Sequence, residues 1–197
     1  MAPPVIGPRN LLTREEAIEQ YILLRLRAED IKRLGYLVEN LHEGTIQLIE
    51  NAPFTRADLK DTARTAFFGW FATLTDKGNK AVYAFDPLFA LFSGRRPQII
   101  KVQSECEACH STLQQFRNNV AFHSRAELRA QIQARRALQT DDALVDLTFA
   151  RNDFARLMSD VTSGELIAIP ELPTVLTELG VSHHPAFANV FIANAKG

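Results

Sequence analysis

The stretch PQIIKVQSECEACHSTLQQFRNNV, Pro97 to Val120, decides the fold class. Its apolar residues are Ile99, Val102, Cys106, Cys109, Leu113, Phe116 and Val120, spaced by alternating steps of three and four. On a helix of about 3.6 residues per turn those steps lay one continuous apolar stripe along one side. Pro97 suits a helix start, where its missing N–H costs nothing. This predicts one long regular helix.

Outward from it the same period recurs. Ser124 with Glu127 makes a capping box, so a new helix begins just after His123 and runs to about Leu138. A further helix over about 142–162 carries Leu144, Leu147, Phe154, Leu157, Met158 and Val161. Upstream, Asp86-Pro87 reads as N-cap and first helical position of a short helix that ends at Ser93-Gly94. Thr55 caps a helix over about 56–76, and its face Phe67, Trp70, Phe71 and Leu74, with Phe68 beside it, is dense enough for a core centre or a subunit interface. Thr13 and Glu16 form another capping box, opening a stripe from Ala17 to Leu48 with Gly35 and Gly44 as the expected kinks. No strand-like alternation occurs. The predicted class is all-α: an antiparallel helical bundle of five or six helices over 13–165. An irregular, proline-containing arm (1–12) precedes it, and a short C-terminal tail (166–197), with one short helix near 174–179, packs on it.

Composition narrows the function classes. The 197 residues are 46% hydrophobic and 23% charged, an ordinary globular balance that fits one domain. The formal net charge of -1 supplies no global field for nucleic acid, so any such contact needs a local basic patch. MAPPVIGPRN has no basic segment followed by an apolar run, and no apolar stretch approaches the roughly 18 residues of a membrane span. Cytoplasmic residence, no membrane and reduced thiols are the expectations.

Cys106-Glu-Ala-Cys109-His110 has the spacing of a haem-attachment or zinc motif. Both cysteines, however, fall on the apolar stripe, where thiols pack as core residues, so neither metal nor cofactor is expected. His183-His184-Pro185 reads as a surface loop, and Arg129, Arg135 and Arg136 as a solvated helix face. The other end of the stripe is more informative. Arg117 follows Phe116, and His110 lies on the same flank, since seven residues rotate through about 700°. Gln103 and Gln114 fall near that line and complete a polar edge. His123 is six residues past Arg117, about 600° of rotation, so the two side chains converge only if the helix ends between them. The Ser124 cap predicts that ending, at about Phe122.

The segment FRNNVAFHS, Phe116 to Ser124, resembles the signature of the HEPN superfamily: an Arg, a polar residue, then a His after about four to six intervening residues. Here the polar residue is Asn118 and the gap is five residues. The looser similarity, to the abortive-infection-like branch, spans about 55–160. Phe122 departs from it, being bulky where related motifs often have a small residue. The resemblance implies a helical homodimer with two motifs in one cleft. It further implies a metal-independent endoribonuclease of a toxin–antitoxin or phage-defence system, with RNA and an antitoxin protein as partners. Arg117, His123 and Asn118 are then the catalytic group. An imidazole can take the ribose 2′-hydroxyl proton near neutral pH, and a guanidinium can stabilise charge on the phosphate. His110, Gln114, Arg125 and Arg129 are the substrate-binding candidates. The alternative is a non-catalytic helical dimer that binds a nucleotide or a partner protein in the same cleft.

Overall fold

Thr13 and Glu16 form the predicted reciprocal cap. The Thr13 amide and hydroxyl both donate to Glu16 Oε2 at 2.8 Å, and the Glu16 amide returns a bond to Thr13 Oγ1 at 3.3 Å. Two of the orphan donors at the helix start are thereby satisfied. The computed structural model describes residues 7–43, 55–75, 84–116, 118, 132–133, 141–161, 163–188 and 190. Within them run α1 (Arg14–Glu43), α2 (Arg56–Ala72, tightening into a 3-10 turn Thr73–Thr75) and α3 (Asp86–Leu91). Then come α4 (Arg96–Ala108), α5 (His110–Phe116), α6 (Asp141–Ser159), α7 (Ser163–Ile167) and α8 (Leu172–Glu178), followed by a 3-10 turn Pro185–Phe187. Every regular element among the described residues is helical, and none is long and apolar enough to cross a membrane.

The predicted stripes meet in one core. α1 contributes Ile18, Tyr21, Ile22 and Ile31; α2 contributes Phe67, Phe68 and Phe71; α6 contributes Leu147, Phe154, Leu157 and Met158. The 97–120 stripe delivers Ile99, Val102, Cys106, Cys109, Leu113 and Phe116 to the same cluster. Phe68 meets Phe116 edge-on with ring centroids 5.6 Å apart, which ties α2 to α5. Leu172, Leu176 and Phe187 are as deeply buried as any of these, so the segment expected to be a short tail supplies part of the core. Arg25 fastens it, donating to the carbonyls of Met158 and Ala186 at once.

Four local expectations change. The helix expected to run unbroken from Pro97 is divided at Cys109, whose ψ of -6° falls outside α-helical values. The reason is packing: α4 lies against α6, whereas α5 lies against α2, and the loosened turn re-aims the chain between them. Gly35 does not interrupt α1, which continues to Glu43, while Gly44 lies outside the described residues. Asp86 is the first residue of α3 rather than its N-cap, which is Phe85, and its carboxylate is directed elsewhere. Trp70 sits at the rim, 36% exposed, with the Arg27 guanidinium 6.0 Å from its ring. Phe68 takes the buried place because α5 packs on its side of α2.

One ion pair between helices gives the fold a defined response to acid. Lys101 Nζ of α4 lies 2.5 Å from Asp153 Oδ2 of α6. The Lys101 hydrogen bond and charge hold the Asp153 carboxyl below its usual range against the opposing effect of burial. A depressed carboxylate contributes stability above its unfolded-state pKa and loses it as pH falls through the folded one. The melting temperatures of wild type and Lys101→Met should therefore differ by a constant amount across neutral pH, and the gap should close below about pH 4. A gap that persists in acid would show that the lysine acts through its packing alone.

Candidate functional site

Near the Arg117 motif the structure is set by the shift at Cys109. α5 begins afresh at His110 and ends at Phe116, which is buried beside Phe68. His110 and Gln114 are four residues apart on this helix, hence on one flank, and both are half-buried. His110 is engaged by neighbouring groups, whereas Gln114 Oε1 is buried with no hydrogen-bond donor. Asn118, one turn beyond Gln114, is exposed in a widened π-type turn. His110 and Gln114 thus share a flank of α5, and Asn118 lies just beyond it in sequence. Arg117, His123, Arg125 and Arg129 lie outside the described residues, as does the predicted helix end at Phe122 and the Ser124 cap. Of the following helix, Ile132 and Gln133 are described, helical and exposed.

Gln103 does not belong to that polar edge. It is fully buried and forms a two-bond pair with Gly7 of the N-terminal arm: the Gly7 amide donates to Oε1 at 2.9 Å, and Nε2 donates to the Gly7 carbonyl at 3.0 Å. Gly7 adopts φ 130°, a conformation that disfavours any side chain. One turn along α4, Glu107 takes the Arg9 guanidinium at 2.6 Å, with its own side chain only 1% exposed. Asp86 accepts from the amides of Arg9 at 2.7 Å and Asn10 at 3.2 Å, and from Asn10 Nδ2 at 2.8 Å. Asp86, Gln103 and Glu107 are the buried polar side chains of the described core, and all three hold the arm. Their socket was not anticipated. The sequence signal for it was modest: a Gln and a Glu at i, i+4 beside the apolar stripe, and a Gly-Pro-Arg-Asn run in the arm.

The Cys106–His110 segment behaves as core. Both thiols are buried, and burial first, then the neighbouring Cys109, Glu105 and Glu107, raises the Cys106 pKa well above its ordinary value. A thiol so held is a poor nucleophile and a poor thiolate ligand. Among the described residues, no three or more His, Cys, Asp or Glu side chains are grouped to hold a metal ion. His184 is occupied locally, its Nδ1 accepting from the Ala186 amide at 3.2 Å to cap the last turn, and His183 is exposed. No family model, curated protein or solved structure matches this chain.

Proposed function

We propose that the chain is a HEPN-type, metal-independent endoribonuclease, a toxin or phage-defence effector of the cytoplasm. In this reading it works as an antiparallel helical bundle paired into a homodimer. One observation carries the reading: Phe116, one residue before Arg117, is buried against Phe68 while Asn118 is exposed, so the motif begins at the border of the core. In the proposed reaction His123 removes the 2′-hydroxyl proton, and the 2′ oxygen attacks the adjacent phosphorus. The bond to the 5′ oxygen breaks, and that oxygen takes up a proton. Arg117 stabilises the negative charge gathering on the phosphate oxygens. Asn118 orients His123 or holds the phosphate, and His110, Gln114, Arg125 and Arg129 hold the strand. An antitoxin protein would silence the enzyme by covering this cleft.

Incubating the purified protein with RNA in excess EDTA tests this directly. The expected products carry 2′,3′-cyclic phosphate and 5′-hydroxyl ends. RNA left intact would favour the alternative, a non-catalytic helical dimer whose cleft holds a nucleotide or a partner protein, and RNA cut to 3′-hydroxyl ends would overturn the 2′-hydroxyl mechanism.

A further inference from the structure

The N-terminal arm is anchored on α3 and α4, not on α1, the helix it leads into. Gly7, Arg9 and Asn10 bond to Gln103, Glu107 and Asp86, partners 76 to 98 residues away along the chain. α1 has its own fastening. Thr13 closes its capping box with Glu16, and Arg14 grips both carboxylate oxygens of Glu171, at 2.7 and 3.0 Å. Between the two anchored parts lie only Leu11 and Leu12, outside any regular element. Arm and body are thus separately held pieces joined by a two-residue connector.

The socket reads the arm through its backbone and one guanidinium. Gln103 pairs with an amide and a carbonyl, Asp86 takes two successive amides, and Glu107 takes Arg9. These bonds are the same whichever chain supplies the arm. An emptied socket would strand three buried polar side chains, so an arm that leaves must be replaced by another. The connector carries the most exposed large apolar side chain among the described residues: Leu11, 99% exposed. A lone exposed leucine needs no explanation by itself. This one stands where a second copy would cross. An extended run from Asn10 to Thr13 spans at most about 10 Å, so an exchanging copy must set its socket beside the start of α1.

We propose that two copies of this chain exchange arms, Gly7, Arg9 and Asn10 of each filling the Asp86–Gln103–Glu107 socket of the other. The two connectors then run past each other across the two-fold axis, and each copy's Leu11 is covered by the other. The short connector favours the closed monomer at low concentration by keeping the arm near its own socket. Rising concentration shifts the balance to the exchanged dimer. The exchange uses none of Arg117, Asn118 and His123, so it goes beyond the cleavage reading. A dimer formed by pairing two motifs would leave each arm in its own socket.

Light scattering of the full chain at concentrations up to roughly 500 μM should show a monomer–dimer equilibrium. Isotopes then identify which chain supplies the arm. Arg9→Lys keeps the charge beside Glu107 and can be joined to it by a zero-length carbodiimide cross-link. Unlabelled and heavy-isotope-labelled Arg9→Lys chains are refolded together and the dimer is isolated. About half of the cross-linked pairs of arm and α4 peptides should combine the two isotopes, the share that random pairing of exchanged chains gives. Leu11→Ser, a change at a fully exposed residue, should leave the melting temperature of dilute protein unchanged. It should weaken dimerisation by about tenfold or more. The proposal is overturned if the chain stays monomeric throughout. It is also overturned if every cross-link joins peptides of one isotope, as for a dimer built on the motif cleft or another face. Should Arg9→Lys fail to fold or to cross-link, Leu11→Ser decides, and dimerisation that it leaves unchanged overturns the proposal. No measurement here involves RNA, so failure leaves the cleavage proposal standing, and failure of cleavage leaves this one standing.

Discussion

Alanine at His123 should slow RNA cleavage in EDTA by about 10²- to 10⁴-fold, the range expected when a general base is removed. Alanine at Arg117 should cost about 10²- to 10³-fold, as for one lost charge-stabilising donor. The two losses should not multiply in the double variant, since both residues serve one transition state. The wild-type rate should rise with pH as the imidazole gives up its proton, and the residual rate of His123→Ala should lack that step. Asn118→Ala should have a smaller effect, because it supports the pair rather than exchanging protons or charge. The circular dichroism of the variants should match wild type, which separates lost chemistry from lost fold. Cleavage that is indifferent to both alanines would remove the site, whatever else the protein does.

Asp86→Ala should lower stability by about 3 kcal/mol, read as a fall of roughly 1–1.5 M in the urea midpoint. The carboxylate is 2% exposed and accepts from three donors of the arm. A hydrogen bond to a charged group is worth about 1.5–3 kcal/mol, so three independent bonds would sum to more than is expected here. The total is capped because the arm can peel away and its amides reach water. Peeling has its own cost: Gln103 loses both of its bonds to Gly7, and Glu107 is left buried without Arg9. Amide hydrogen exchange at Arg9 and Asn10 should accelerate in Asp86→Ala before the core opens. Asp86→Asn keeps one acceptor and should fall between the two. An unchanged midpoint would mean that the arm adds nothing to the fold.

Much of the helical framework was legible because a three-four stripe is both a local and a tertiary signal. Ile99, Val102, Cys106, Cys109, Leu113 and Phe116 are all buried, as their spacing required. Capping boxes at Thr13 and Thr55 fixed two helix starts, the second with Asp58, which the sequence reading passed over. What spacing could not convey is which neighbour each half of a stripe meets. The division at Cys109 follows from α4 and α5 choosing different partners, and no residue type there announces it. Gly35 is instructive in the same way. Read alone it suggests a kink, but a Cβ there would crowd Arg151, more than a hundred residues away along the chain. Buried polar residues were the least legible: Asp86 looked like a cap because Asp-Pro often is one, and its true partners, Arg9 and Asn10, sit in a segment without periodicity. Of the polar edge expected beside Arg117, His110 and Gln114 lie on α5, whereas Gln103 is turned to Gly7, and Arg117 itself lies outside the described residues.

The long reach of Arg25 bears on how the chain comes off the ribosome. Its two acceptors lie 133 and 161 residues downstream, and Gly7 must wait 96 residues for Gln103. At roughly 5–20 residues per second, synthesis from Arg25 to Ala186 takes on the order of 8–30 s. During that interval Arg25 has been made, but at least one of the two carbonyls it holds has not. Until then α1 has α2, α3 and Phe92 to pack against, while the part of the core built by Leu172, Leu176 and Phe187 is still missing. The described core is thus completed only once residues 172–187 have joined it.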